Sequence, residues 1–485
     1  MGLNYEKVNK ITLIKGATGL GKSTAYTDLL TVDNEWQDNK IIALPTNKAK
    51  RHIFNTINEK MQKSNSNNRF MMTPDFEGLP PTLYNKVMKL QNIGAYEQLK
   101  NYIAEYVSKN AGDEKQAKNV LILNNYLIGN ENVKDFENGI VTTHTRACFL
   151  TPKVYNCHNI IYDEDILNEA IKIIEIPIQN IEQTLPHLKE SKEIIKKKLE
   201  LVQQSKYREI IPVEPTIWNQ DKIEAEIKES KNIHCNINNI LRCTAVARNN
   251  PNFSKTLNPN GKDEKDTLCM LIENSLAYRN SIVLSATADF QLYQDYFVKK
   301  LGRKLFYKEA PKVENSGTII QHYSYTYSRD CLNRNPDIIQ KIREKHPHDL
   351  IILSKDFIDK DRKYNGFEIE TGKLESLDGL NGQSFVVVGL PNRGALYHKM
   401  FEYAIYGVIH NEVSMRNAWD ENDFGKFQFF NYPQEYQNLR RIRFWDCQET
   451  LNQIVGRARL ILPENRFTEV HVYAKYPLEG AIYVP

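Results

Sequence analysis

Nine consecutive residues, Gly16-Ala17-Thr18-Gly19-Leu20-Gly21-Lys22-Ser23-Thr24, carry the pattern G-x-x-x-x-G-K-[ST]. Glycines there let backbone N–H groups turn inward around phosphate oxygens. A helix opening directly behind them adds unpaired N–H groups and the positive end of its dipole. Lys22 supplies a point charge for the β- and γ-phosphates, and the Ser23 hydroxyl is a natural Mg2+ ligand. A second cluster, Asp163-Glu164-Asp165, gathers three carboxylates. Asp163 suits a magnesium ion, held directly or through water, and Glu164 suits the task of orienting and deprotonating an attacking water. The bland reading of the first is a chance glycine-rich turn, against which strand, loop and helix all agree; the second, taken alone, fits a solvated acidic turn equally well. Together they predict hydrolysis of a nucleoside triphosphate.

Both clusters need strands to hold them. Residues 11–14 precede the first and 159–162 the second, and similar runs recur at 41–44, 139–142 and 281–284. As a group they are short, rich in Ile, Val and Leu, and end in polar or glycine residues, the pattern of buried parallel strands. Carboxylates at the C-terminal end of such a strand sit on the rim where α/β proteins bind ligands. A second set follows at 318–322, 350–353, 384–388 and 470–473. Strands alternating with helical segments predict an α/β fold with two parallel-sheet lobes. The spacing sets them at 1–300 and 301–485, divided where glycine, proline and charge interrupt the pattern at 301–316. Three stretches exceed a minimal lobe, at about 50–137, 167–280 and 392–445. The second contains a Lys- and Glu-rich helix at 189–208 with Ile195, Leu199 and Val202 on one stripe, and this helical insertion is a candidate contact for a protein partner.

The bulk properties are compatible with this. A chain of 485 residues corresponds to roughly two to four domains. At 41% hydrophobic and 26% charged it has the profile of a folded globular protein. The net charge of +4 permits a nucleic-acid partner without arguing for one. No run approaches the ~18 apolar residues of a membrane span, and the polar first nine residues lack the apolar centre of a signal peptide. The seven cysteines contain no Cys-x-x-Cys pair, so a zinc site is not expected, and reduced thiols in a cytoplasmic protein are.

Further motifs appear in order. Ser285-Ala286-Thr287 follows the run at 281–284, and Gln453-Ile454-Val455-Gly456-Arg457-Ala458-Arg459 lies near the C-terminus. Weaker ones are Pro45-Thr46, Thr142-Thr143-His144, Leu353-Ser354-Lys355 and Gly379-Leu380-Asn381. From Gly16 to Arg459 the ordered set resembles the superfamily 2 helicases, which include the DEAD-box and DEAH-box proteins. Asp163-Glu164-Asp165-Ile166 stands where their Asp-Glu-x-Asp/His box would be. The resemblance implies two tandem RecA-like lobes with helical insertions, and ATP with Mg2+ bound in the cleft between them. It makes Ser285 and Thr287 the coupling between nucleotide site and lobe movement, Gln453 a contact to phosphate or attacking water, and Arg457 the finger that reaches the γ-phosphate. Arg459 sits one residue before the family's final arginine, whose place Leu460 occupies, so Arg457 is the preferred finger and Arg459 a nucleotide contact. The fifteen residues before Gly16 leave no room for the family's adenine-reading segment.

By the same analogy a nucleic-acid strand crosses both lobes. Pro45, Thr46 and Asn47 and then Thr142, Thr143 and His144 would hold its phosphates on the first lobe, and Ser354 and Lys355 on the second. Each also fits a helix cap or a solvated loop. The stretch 392–445 interleaves aromatics, among them Phe401, Phe424, Phe429, Phe430 and Tyr432, with Arg440, Arg441 and Arg443. That is a stacking surface for bases or, on the usual behaviour of large aromatics, the core of an inserted subdomain. The leading expectation is an ATP-dependent helicase or translocase acting on DNA, with RNA as the other track, and its size and insertions suit replication of a phage or mobile element. The alternatives are a nucleic-acid-stimulated ATPase switch that does not unwind, and a P-loop small-molecule kinase.

Overall fold

The computed structural model describes residues 10–32, 40–64, 70–134, 139–148, 159–230, 232–249, 266–274, 280–371, 379–390, 393–422 and 425–485; Cys157 and Phe424 fall outside them. Two parallel sheets organise the chain into tandem RecA-like lobes. The first has seven strands in the order Lys304–Glu309, Lys10–Lys15, Asn280–Ser285, Asn159–Asp163, Lys40–Leu44, Gly139–Thr143 and Phe70–Met72. Every neighbouring pair is parallel. A strand covered on both faces must be apolar at successive positions, and Ile41 and Ala43 enter one core while Ile42 and Leu44 enter another. All five runs expected here are strands of this sheet. The edge strand Lys304–Glu309 escapes an apolar-run search because most of it is exposed and three of its six residues are charged.

The second sheet has six parallel strands in the order Glu368–Glu370, Leu350–Leu353, Phe385–Val388, Glu469–Tyr473, Thr318–His322 and Ala481–Val484. It too is covered on both faces. Ile352, Phe385, Val387 and Val472 pack to one side, and Ile351, Leu353, Val386 and Val388 to the other.

The additions differ in make-up. Helices Pro81–Asn92, Tyr96–Asn110 and Ala117–Lys134 share a small core around Val87, Leu99, Ile103 and Leu123. The stretch after the acidic cluster combines helices with a four-stranded antiparallel sheet ordered Ile171–Pro177, Thr267–Glu273, Ala245–Asn249 and Ile211–Pro212. Within it the stripe Ile195, Leu199 and Val202 on helix Lys192–Gln204 is buried in that unit's own core. Lys198 is buried beside them, and its ammonium donates to the carbonyls of Ile240 at 3.0 Å and Leu241 at 2.9 Å. The helix therefore closes the insertion through this apolar stripe.

The last addition binds the two lobes together. Helix Ala395–Tyr406 places Leu396, Met400, Phe401, Ala404 and Ile405 in the core of the first lobe. Helix Gln437–Gly456 puts Ile442 and Trp445 into that same core while Cys447, Leu451, Ile454 and Val455 enter the core of the second. The antiparallel hairpin Arg416–Asn422 and Gly425–Asn431 lies between these helices in sequence. Among the described residues no helix is long and apolar enough to cross a membrane.

Candidate active site

The glycine-rich loop at 16–21 leaves strand Lys10–Lys15 and ends in helix Lys22–Val32. Gly19 and Gly21 have φ of +87° and +80°, a region open to glycine and costly for other residues. The loop is tied to the neighbouring strand, since Gly16 N–H donates to the Ser285 carbonyl at 3.0 Å. The Lys22 ammonium donates to the carbonyls of Gly16 at 2.8 Å and Ala17 at 2.9 Å. Burial lowers its pKa, and the charges of Asp163 and Glu164 oppose that shift.

Asp163 ends its strand as expected and is buried against this loop. Its Oδ2 accepts from Ser23 Oγ at 2.7 Å and from Tyr26 OH at 3.1 Å. Burial raises its pKa, while the bonds from Ser23 and Tyr26 and the charge of Lys22 pull the other way. Two hard oxygens in hydrogen-bond contact beside a lysine and a helix N-terminus form a donor set that fits Mg2+. Glu164 is exposed between two buried acids and has φ of +95°. Such a backbone costs on the order of 1–3 kcal/mol for a non-glycine residue. It is pinned by its own N–H, which donates to the Leu284 carbonyl at 2.8 Å. Ser285 and Thr287 are buried just beyond, and Ser285 Oγ accepts from the backbone N–H groups of Thr287 at 3.1 Å and Ala288 at 3.0 Å. The motif at 285–287 is thus a hydrogen-bonded turn abutting the glycine-rich loop.

The second lobe meets this loop directly. A Cβ built on Gly456 would lie 2.5 Å from Thr18 Cβ, and one on Gly19 would lie 3.4 Å from Ile461 and 3.6 Å from Arg459 Cβ. Helix Gln437–Gly456 ends here, and Arg457 is its C-cap residue. Arg457 and Gln453 are half-buried and Arg459 is exposed with φ of +50°. Asn465 secures the segment by donating through Nδ2 to the carbonyls of Ala458 at 3.1 Å and Arg459 at 3.0 Å. Gly382, next to the motif at 379–381, donates to the Ala458 carbonyl at 3.2 Å.

Asp165 is held by both lobes. Its Oδ1 accepts from Tyr293 OH at 2.6 Å and Leu167 N–H at 2.9 Å, and its Oδ2 accepts from the indole Nε1 of Trp445 at 3.1 Å. Four residues on, Glu449 accepts from Asn168 Nδ2 at 3.0 Å and pairs with Arg393 at 3.3 Å. Arg393 also reaches Asn168 Oδ1 at 2.6 Å and Asp446 at 3.3 Å. Burial, reinforced by Asp165 and Asp446 and opposed by Arg393, raises the Glu449 pKa to about 8. Sequence reasoning missed Tyr26, Asn168, Arg393, Trp445 and Glu449. Residues 445, 449, 453 and 456 do share one helix face, a spacing visible in the sequence, but its partners are hundreds of residues away.

The residues expected to hold nucleic acid divide into surface and interior. Pro45 and Asn47 are exposed, and Thr46 caps helix Asn47–Lys63 by accepting from Ala49 N–H at 3.1 Å. Thr143 caps the short turn after it, accepting from Arg146 N–H at 3.4 Å. Thr142 is buried and bonded to Thr73 Oγ1 at 3.1 Å. His144 is buried edge-on to Tyr162, and burial lowers its pKa to about 4, so it is neutral at ordinary pH. These two are closed to a strand. Ser354 and Lys355 are exposed and line a cleft of about 1090 Å³. Its other walls include Arg208 from the antiparallel insertion, Arg329 and Arg334, and Phe430. Of the aromatic stretch, Phe401, Phe429 and Tyr432 are core residues while Phe430 is exposed. Arg440 is buried against Asp420 and donates to the Tyr432 carbonyl at 2.8 Å, so it serves the hairpin.

No family model matches the chain, and no curated protein matches it in sequence. Solved structures do match. An XPD helicase superposes with a TM-score of 0.51 at 15% identity, over 97% of this chain and 94% of that one. The DEAD-box helicase Mss116 bound to ssRNA and UDP-BeF aligns with 99% of this chain and 73% of its own at 9% identity and a TM-score of 0.33. A point variant of S. cerevisiae Dbp5 bound to RNA and ADP BeF3 aligns with 96% and 79% at 10% identity and a TM-score of 0.31. The chain therefore shares the overall fold of that XPD helicase.

Proposed function

We propose that the chain is a nucleic-acid-stimulated ATPase that works as a helicase or translocase. The observation that carries this reading is the seating of Gly456 on Thr18, which brings the segment with Gln453, Arg457 and Arg459 against the phosphate loop of the other lobe. Backbone N–H groups of residues 19–24 and the Lys22 ammonium hold the phosphates of ATP. Ser23 and Asp163 would hold Mg2+, which when bound would supply positive charge to the phosphate oxygens. Glu164, exposed at the rim, takes a proton from the water that attacks the γ-phosphorus, and the bond to the bridging oxygen breaks to release ADP. Arg457 donates to the charge spread over the transferring group. Because that arginine comes from the second lobe, turnover depends on how the lobes sit, and nucleotide state and lobe position become linked.

The strand path is the cleft bearing Ser354, Lys355, Arg329 and Phe430. Lysine and arginine neutralise backbone phosphates and an exposed aromatic gives bases a stacking surface. The test is ATP hydrolysis with and without single-stranded DNA, single-stranded RNA and duplex DNA. Selective stimulation by one of them is expected and names the track, whereas an unchanged rate with all three would overturn the reading. A second reading, an ATP-driven switch that binds nucleic acid without unwinding, draws support from the core shared by both lobes through Phe401, Ile442 and Trp445. Stimulated hydrolysis with no strand displacement would select it.

A further inference from the structure

Resting on the ATPase reading above, we propose that Trp445 is a positioning residue whose indole N–H, delivered by the second lobe, fixes Asp165 and thereby the conformation of Glu164. Trp445 is fully buried, lies tilted against Phe401 at 5.2 Å between ring centroids, and donates to Asp165 Oδ2 at 3.1 Å. Its residue type is informative: a buried indole requires a partner for its single N–H, and a buried carboxylate requires donors for its oxygens. Each satisfies the other across the lobe boundary.

Asp165 is the hub of the loop that carries Glu164. Its other oxygen accepts from Leu167 N–H, and Tyr293 OH, which donates to that same oxygen, accepts in turn from Ile166 N–H at 3.2 Å. The residue before Asp165 holds a positive-φ backbone. Such a conformation persists only where the surroundings over-determine it. Loss of one donor to the hub loosens the loop on the side opposite the Leu284 anchor. The same helix face continues through Glu449, bonded to Asn168 of this loop, and ends at Gly456 on Thr18. One rigid rod therefore touches the base-bearing loop and the phosphate loop together. A displacement of the rod that removes Arg457 from the site also releases Asp165.

The test compares Trp445→Phe, which keeps an aromatic ring and deletes the N–H, with Phe401→Leu, which weakens the packing and leaves the hydrogen bond. In Trp445→Phe, kcat for ATP is expected to fall about tenfold with KM for ATP changed less than about twofold, the size of a lost bond to a charged group. Hydrogen exchange at the Ile166 and Leu167 amides is expected to quicken while that of helix Pro81–Asn92 stays the same. Phe401→Leu is expected to lower the melting temperature without the kcat loss. Unchanged kcat and unchanged exchange at 166–167 in Trp445→Phe would overturn the proposal, as would equal kcat losses in the two variants. An unmodified chain with no ATP hydrolysis would overturn the ATPase reading and this inference together, so the two failures are told apart by the parent protein.

Discussion

The backbone of Gly456 lies so close to the side chain of Thr18 that a single added methyl group would overlap it. Thr18 Cβ sits on a short, stiff side chain in the phosphate loop, so it has little room to yield. Gly456→Ala is expected to displace the segment bearing Arg457 from the loop and to lower kcat by on the order of 10²-fold, the scale of a catalytic group misplaced by about 1 Å. Steady-state kinetics against circular dichroism of the same variant checks this, and full activity in a folded variant would refute the contact's role.

On the proposed reading, substitutions at Lys22 and Glu164 separate binding from chemistry. Lys22→Ala is expected to abolish tight ATP binding and turnover. Glu164→Gln is expected to bind ATP normally and to lose hydrolysis. Nucleotide binding measured by calorimetry beside single-turnover hydrolysis decides it, and sustained turnover in Glu164→Gln would remove that residue from its assigned task.

The two arginines beyond Gly456 are distinguished by substitution. Arg457→Ala is expected to lose on the order of 10³-fold in kcat, as arginine fingers do, and Arg459→Ala considerably less. The reverse ranking would transfer the finger to Arg459, which already lies beside Gly19.

Glu449 makes a prediction about pH. Its carboxyl keeps its proton in the folded protein up to about pH 8, whereas an unfolded glutamate releases it near the ordinary value of 4.5. The folded state therefore binds the extra proton between these values, so this group's contribution is complete below about pH 4.5 and is lost as pH rises towards 8. Glu449→Gln removes that titration. Between pH 6 and 8 the melting temperature of the parent is expected to fall about 2 °C more than that of the variant, as scanning calorimetry can measure, and parallel curves would contradict the shift.

What the sequence made legible was local. Strands buried on both faces announce themselves as apolar runs, and Gly19, Gly21 and Lys22 specify their loop within a few residues. The motif at 285–287 could be placed because the strand before it was clear. The antiparallel sheet after the acidic cluster was not legible. Its strand Ile211–Pro212 has two residues, and Thr267–Glu273 is apolar at successive positions, without the alternation that marks one wet face. Thr142 and His144 sit at the end of a strand, which suggested the rim, yet they are buried, and burial of a single strand end is set by what packs over it. The bond between Asp165 and Trp445 joins residues 280 apart, and no spacing rule reaches that far.

The antiparallel insertion leaves and rejoins its lobe at one point. Ile171 pairs with Glu273 at its base, and Asn274 N–H donates to the Ala170 carbonyl at 2.8 Å just below. Its outgoing and returning ends are thereby clasped, and the distance between them does not depend on what lies beyond. Beyond the clasp the sheet is not free: Ile210, Ala245, Ala247, Cys269 and Leu271 enter the core that Met400 and Phe401 also fill. The insertion is thus fixed twice, in spacing at its two ends and in shape along the face of its sheet, so a change in that face is transmitted to the helix that joins the lobes.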